Sequence, residues 1–487
     1  MSASDTPRPP PRPPRPPRGP QRVRPRAPSS GSGAAQRARA IEALVAVDRG
    51  EFAAEVLQPG DGRFVRELAL GALRRRGTLD CIHSAFGTRP IDELQPDVRA
   101  AVRVGLYQLL FLDGVPPHAA VAETVGAVGG PGRHYVNAVL RTMLRESHRV
   151  PEDRDRGGAS PTKCLHRPGR SVTFFSRAVF PDPEADRFAY LAAFHSHPRF
   201  LVERWVAAMG EEAAVARMEA DNQTPPFSLR PRAGRIGASG VVERLAAEGL
   251  ASFALRRDGA TGAPDAVLVR QGEEGLFATR AFRDGLFSVQ DVEQMDAAEI
   301  LAPRADEIVW DACAAPGGKA TQLAEALEVA GAGSGRIVAT DSDAARLEAL
   351  RQSVARLGLS RLELGVHDAL LASPPPGAPA RGFDAILLDA PCSNTAVLGR
   401  RPEARWRLRD ETFARMTGLQ RRLVAACARH LAPGGRLVYS VCSLEPEETA
   451  GHLLRVTRSP LVWTATSAEL PGIMARWPEA PAAGESP

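Results

Sequence analysis

The stretch EIVWDACAAPGGKATQL, residues 307–323, reads as a short apolar strand, a small-residue turn and the start of a helix. Four more apolar runs follow it: GRIVATDSD (335–343), RLELGVHD (361–368), FDAILLDAP (383–391) and GRLVYSVCS (435–443). Between them lie helical patterns such as DAARLEALRQSVARLG (343–358) and RLVAACARHLAP (422–433). Strand and helix alternating in this way imply a doubly wound parallel sheet, which takes its ligands at the carboxyl ends of its strands. Gly317 and Gly318 let the backbone approach a ligand closely, and the helix behind them offers its amino-terminal amides. Asp341 closes the second strand and suits a carboxylate accepting from ribose hydroxyls; Asp368 follows the third and can accept from an adenine amino group; Asp389 ends the fourth. An Asp after a strand is often only turn chemistry, but four such ends on one sheet form a pattern. The loop lacks G-x-G-x-x-G, which makes a nicotinamide enzyme the weaker choice.

Six cysteines stand at 81, 164, 313, 392, 427 and 442, with no C-x-x-C pair, so neither a zinc site nor a disulfide framework is expected. A lone cysteine is more often a small core residue than a reactive one, and Cys81 and Cys427 fit that description. Cys392 and Cys442 do not, because each sits in a loop just after a strand, at the ligand end of the sheet. Two thiols there suit cytosine chemistry. Carbon 5 of cytosine is too weak a nucleophile to attack a methyl sulfonium unaided, and a thiolate added at carbon 6 makes it enamine-like. Local positive charge must favour that thiolate. Asp389 can hold a proton on ring nitrogen 3, and a second acid/base group is needed to finish the reaction.

Outward from this sheet, 487 residues suggest two to four domains. Residues 1–33 are rich in Pro, Arg, Gly and Ser and carry seven arginines against Asp5, so the basic balance of the whole chain (+5) belongs to this segment. A disordered tail is expected there, able to hold phosphates non-specifically or simply solvated. Residues 34–150 show helical periodicity in AQRARAIEALVAVDRG, RFVRELALGALRRR, DVRAAVRVGLYQLLFL and RHYVNAVLRTMLRE, and predict an all-helical domain. Residues 151–183 lack periodicity and are expected to be a linker or insertion. Residues 184–299 combine helical signal with strand-like runs (FSLRPR, SFALRR, DAVLVR) in a small α+β module. Residues 300–470 hold the parallel sheet, and 471–487 are expected to be a second disordered tail. Lysine occurs only at 163 and 319, so Lys319 marks a local demand for a compact ammonium. No apolar run approaches the ~20 residues of a spanning helix, nor does the amino end read as a secretory signal. A cytoplasmic protein with no membrane or metal partner is expected.

In carrying DACAAPGGK, DAPCS and YSVCS in this order, the chain resembles the Sun/RsmB-type family of ribosomal RNA (cytosine-C5) methyltransferases. The resemblance extends over about 36–150 and 184–455, through VRVGLYQLLFL (102–112), VPPHAAVAETV (115–125), YVNAVLR (135–141), SHPRFLVERW (196–205) and FSVQDVEQM (287–295). It implies a NusB-like helical RNA-binding domain, a small α+β RNA-binding module, and a Rossmann-like class I methyltransferase domain. It implies S-adenosyl-L-methionine as cofactor, held by Cys313, Ala314, Ala315, Pro316, Gly317, Gly318 and Lys319 with Asp341, Arg346, Asp368 and Asp389. It assigns the nucleophile to Cys442 and product release to Cys392, places Lys319 near Asp389, and points to small-subunit (16S) ribosomal RNA as substrate for a monomeric enzyme. Rival readings are a non-catalytic RNA-binding ribosome assembly factor and a transfer RNA cytosine-C5 methyltransferase. Asn394, Ala396 and Val441 replace the family's usual Gly, Gly and Thr, and Asn tolerates the left-handed backbone that Gly supplies. The family's closing D-G-hydrophobic strand has no counterpart, so the last strand is expected to be missing or replaced.

Overall fold

Residues Pro96–Phe111 have proline in their first turn and are buried on nearly every face, so the helix they form is a central one. The computed structural model describes residues 33–58, 60–155, 157–158, 160–256, 265–269, 273–449, 462–465 and 472–476. The amino-terminal domain comprises α1 (Gly33–Asp48), α2 (Ala53–Val56), α3 (Arg63–Arg74), α4 (Arg76–Phe86), α5 (Pro96–Phe111), α6 (Pro117–Gly126) and α7 (Gly132–Arg145). Arg103 on α5 is buried, and its guanidinium meets Asp80 at 2.8 Å and Asp48 at 3.3 Å, the pairing that a buried cation requires. The expected tail over 1–33 lies outside the described residues except for Gly33, which opens α1.

The segment 151–183, expected as a linker or insertion, is an ordered antiparallel sheet. Strands β1 (Ser147–Pro151), β2 (Cys164–Arg167) and β3 (Ser171–Phe175) pair in the order β1-β3-β2. Leu165, Phe175, Val179 and Phe180 bury themselves in the core of the helical domain. Three arginines of this sheet, Arg149, Arg167 and Arg170, reach Asp113 in the α5–α6 loop at 3.1, 2.6 and 3.1 Å.

Helices α8 (Arg187–His195), α9 (Arg199–Met209) and α10 (Glu211–Asp221) lead into a four-stranded antiparallel sheet. Its strands β4 (Phe227–Pro231), β5 (Ser252–Leu255), β6 (Ala266–Val269) and β7 (Phe287–Val289) lie in the order β5-β6-β4-β7, with α11 (Ala238–Ala247), α12 (Glu273–Leu276) and α13 (Arg280–Arg283) in its connections.

After α14 (Asp296–Leu301) comes the large sheet. Strands β8 (Ile308–Asp311), β9 (Arg336–Asp341), β10 (Leu362–Val366), β11 (Phe383–Asp389) and β12 (Leu431–Ser440) are parallel, in the order β10-β9-β8-β11-β12. Helices α15 (Gly318–Val329), α16 (Ala344–Leu357) and α17 (Asp410–Ala428) connect them. Apolar residues fill both faces: Trp310, Phe383, Ile386 and Tyr439 on one, Val309, Ile337, Leu387 and Val438 on the other. The PGG segment at 433–435 forms an irregularity inside β12, with Gly434 at φ 77°.

The sheet does not end at β12. The backbone of β13 (Val462–Ala465) and β14 (Gly472–Arg476) adds an antiparallel pair, β14 lying against β12 with Gly472 opposite Ser440. The closing strand is thus replaced rather than missing, and the disordered tail expected over 471–487 contains a strand at 472–476; residues 477–487 lie outside the described residues.

Candidate active site at the ends of the parallel strands

The order β10-β9-β8-β11-β12 reverses direction between β8 and β11, and the crevice beyond this switch point is where such sheets bind ligands. On one side of it, the loop from Cys313 to Gly317 is pinned at several points. Ala312 N donates to Leu387 O at 3.0 Å, Ala314 N to Thr340 O at 2.9 Å, and Ala315 N to Asp341 Oδ2 at 3.2 Å. Arg346 donates to Ala315 O at 2.6 Å and lies 3.7 Å from the Asp341 carboxylate. The Ala315–Pro316 peptide is cis, and Gly317 has φ 112°. A Cβ on Gly317 would stand 2.2 Å from Leu350 Cδ1, so the position demands glycine both for backbone and for space. Gly318 then starts α15, whose amino-terminal turn has no side-chain cap. The predicted residues 313–319, Asp341 and Arg346 are therefore brought together. Asp368 is exposed beyond β10 and accepts from Leu370 N at 2.9 Å, while the neighbouring His367 N donates to Asp341 O at 3.0 Å.

Lys319 and Asp389 meet across the switch point at 2.7 Å. Burial pulls the lysine pKa down, but the charge and hydrogen bond of Asp389 outweigh it and the net shift is upward, so the ammonium is secure. The other Asp389 oxygen accepts from Ser440 Oγ at 2.6 Å.

Cys392 and Cys442, from the loops after β11 and β12, lie with their sulfur atoms 3.2 Å apart. The Cys442 pKa is lowered, first because the Cys392 thiol donates to it; burial and Asp389 oppose, while Lys319 and Arg401 help. Cys392 is raised well above the ordinary thiol value by the same hydrogen bond and by burial. Charge distinguishes the two chemically identical groups, since Lys319 and Arg401 act on Cys442. Asn394 has the left-handed backbone expected of it, at φ 61°. Its amide nitrogen donates to Cys392 O at 3.0 Å, which turns Oδ1 toward Cys442 Sγ at 3.1 Å. As a thiol Cys442 donates to Asn394, and as a thiolate it accepts from Cys392. Cys313 and Cys427 are driven the other way by burial, to pKa values well above an ordinary thiol.

The loop carrying Cys392 is braced from behind. Ser393 N donates to Glu448 at 3.0 Å, Gln420 donates to the same carboxylate at 2.9 Å, and Thr395 accepts from Leu444 N at 2.9 Å. Further along, buried Arg405 donates to the carbonyls of Ser196 (3.0 Å), Asp221 (2.9 Å) and Arg74 (3.3 Å). Trp406 Nε1 donates to Leu73 O at 3.2 Å, so the amino-terminal domain holds this loop as well. The four-stranded module grips α15 from the other side: Arg230 on β4 pairs with Glu325 and donates to Thr321 at 3.1 Å.

Residue-by-residue reading did not single out Asp311, Ser440 or Arg405. Asp311, at the switch point, is 1% exposed, and among the described residues its oxygens have no close hydrogen-bond partner, the Cys313 amide acting on it only weakly. Burial, with Asp389 nearby, pushes its pKa up to about 8. Its place as the first residue of DACAAPGGK was the available signal. Among the described residues no group of three or more His, Cys, Asp or Glu is arranged to hold a metal, and no helix is long and apolar enough to cross a membrane.

Residues 34–145 match the NusB family, 197–271 the ferredoxin-like domain of RsmF/B-like methyltransferases, and 298–472 the family 16S rRNA methyltransferase RsmB/F. Over 428 residues the chain is 32% identical to the probable ribosomal RNA small subunit methyltransferase B of Synechocystis sp., covering 86% of this chain and 87% of the relative. It is 31% identical to the ribosomal RNA small subunit methyltransferase B of Klebsiella pneumoniae, covering 90% and 94%. The crystal structure of PH0851 shares the fold, with a TM-score of 0.67 at 21% identity over 90% of this chain and 98% of that one. A methyltransferase homologue from Pyrococcus horikoshii has a TM-score of 0.50 at 25% identity, covering 60% of this chain and 99% of its own. With its helical domain, its ferredoxin-like module and its parallel sheet each matched in order, the chain belongs to the 16S rRNA methyltransferase RsmB/F family.

Proposed function

We propose that the chain transfers a methyl group from S-adenosyl-L-methionine to carbon 5 of a cytosine in small-subunit ribosomal RNA, with Cys442 as covalent nucleophile. The observation that carries this reading is the pair of thiols 3.2 Å apart with opposite pKa shifts, beside the Lys319–Asp389 pair.

The crevice fits the methyl donor. Gly317 makes the left-handed turn into α15, that helix begins without a side-chain cap, and the Asp341 carboxylate is fixed at the end of β9. We assign residues 313–319, Asp341, Arg346, Asp368 and Asp389 to this site. When bound, the donor supplies an electrophilic methyl group on a sulfonium. The chain's own residues do the rest. The target base leaves its stack, at roughly a few kcal/mol. Cys442 adds as thiolate to carbon 6, ring nitrogen 3 takes up a proton from water, and the Asp389 carboxylate, held by Lys319 and Ser440, accepts that N–H and keeps the proton in place. The electron pair pushed into the ring makes carbon 5 the attacking atom. Once carbon 5 carries the methyl group, its proton leaves to water, the freed pair restores the 5,6 double bond, the carbon 6–sulfur pair returns to Cys442 as thiolate, and nitrogen 3 gives its proton back to solvent. Cys392, next to that sulfur, assists the release. The same reading has the chain act as a monomer, without metal, in the cytoplasm.

Incubation with methyl-labelled S-adenosylmethionine and unmodified small-subunit ribosomal RNA tests this reading. Label in 5-methylcytidine is the expected result; label in any other nucleoside, or none with donor and RNA both bound, overturns it.

A further inference from the structure

A cleft of about 630 Å³ opens between the helical domain, the three-stranded sheet and the end of α10, away from the crevice just described. Five arginines line it: Arg63, Arg74, Arg75, Arg167 and Arg170. Only two carboxylates face them. Glu67 is engaged by the Tyr107 hydroxyl at 2.5 Å, and Asp113 is shared among Arg149, Arg167 and Arg170. Arg75 packs over the Phe111 ring at 4.8 Å, and Tyr107 and Glu219 are the neighbours that favour its charge. Burial and the neighbouring Arg167 and Arg74 lower its pKa to about 10, which still leaves it charged near neutrality. Outside the basic amino-terminal segment the chain is close to neutral, so this concentration of cations is local.

The position of the cleft says which anion. Arg74 donates to Gly399 O at 3.1 Å, seven residues past Cys392, a separation that extended chain cannot stretch beyond about 25 Å. One wall of the cleft is thus tied to the active-site loop, within the footprint of a single bound nucleic acid. Arg167 and Arg170 come from the sheet within 146–196, a segment that lies between the stretches matched to the NusB and ferredoxin-like families.

We propose that this cleft binds the phosphodiester backbone of the substrate RNA, with Arg63, Arg75 and Arg170 as the contacting cations and the β2–β3 turn as an added grip. The proposal rests on the RNA-modifying reading above. Phosphate contacts of this kind position the nucleic acid and make affinity depend on salt.

The test is binding of small-subunit ribosomal RNA by the full chain across a salt series. The double variant Arg63→Gln/Arg170→Gln removes two exposed side chains, so folding is not at risk, and retained affinity for S-adenosylmethionine checks it. RNA affinity is expected to fall about tenfold, and the slope of log K against log salt to shrink by about 1.5. Arg75→Gln alone should shrink it by about half as much, and Arg351→Glu, on the outer face of α16, should leave it unchanged. Wild-type binding with the same affinity and slope in the cleft variants would overturn the cleft while leaving the RNA reading intact. So would a loss confined to thermal stabilisation by inorganic phosphate, which would make the cleft a small-anion site. No RNA binding by the wild type would overturn both.

Discussion

Cys392 and Cys442 follow adjacent parallel strands with their sulfur atoms 3.2 Å apart, and their pKa values are displaced in opposite directions, Cys442 downward and Cys392 upward. A thiol that donates to its neighbour stabilises the neighbour's thiolate and is itself held protonated. With Lys319 and Arg401 acting on Cys442, the proposed division is a nucleophile at Cys442 and a proton-bearing partner at Cys392.

This division predicts how the two thiols react. Cys442 should be alkylated by iodoacetamide with a pH midpoint below that of a free thiol. Cys392→Ala removes the donor to the thiolate, so the midpoint should move upward and alkylation near neutral pH should slow. Peptide mass spectrometry across a pH series reads both. Preferential labelling of Cys392 would reverse the assignment.

Asp311 predicts a pH dependence of stability. Its pKa, about 8 in the folded protein against an ordinary 3.8, means that the fold keeps a proton the unfolded chain has released. Stability should then be highest below the ordinary value and decline as pH rises toward about 8, by on the order of 1 kcal/mol per pH unit at most. Asp311→Asn, neutral throughout, should flatten that decline. Melting temperatures of the ligand-free protein at about pH 5 and about pH 8 give the comparison; equal slopes in both proteins would show that Asp311 ionises freely.

Gly317→Ala places a methyl group against Leu350 and forces a non-glycine residue to φ 112°. Strain of about 1–3 kcal/mol is expected, and the loop should shift away from the crevice. Calorimetry should show donor affinity weakened by about tenfold or more, since about 1.4 kcal/mol is tenfold. Unchanged affinity would remove the loop from the donor site.

The parallel sheet was legible because each of its strands is a short apolar run between recognisable turns, and the residues at the strand ends are Asp and Cys. The sheet of β1–β3 was not, because its strands are four or five residues long and burial along them does not alternate. The Pro168–Gly169 turn before SVTFF was its one clear signal. At the carboxyl end the family's closing motif is absent, yet the edge of β12 still finds backbone partners in β14. Cys392, Cys442, Lys319 and Asp389 could be named from motifs. The burial of Asp311 and the clasp of Arg405 on the amino-terminal domain could not, because each depends on segments distant in sequence.

The most direct test of the central claim compares two variants on a denaturing gel after incubation with RNA and donor. Cys442→Ala should form no protein–RNA adduct and transfer no methyl group. Cys392→Ala should accumulate an adduct that survives denaturation, because attack by Cys442 proceeds while release stalls. An adduct with Cys442→Ala and none with Cys392→Ala would contradict the account.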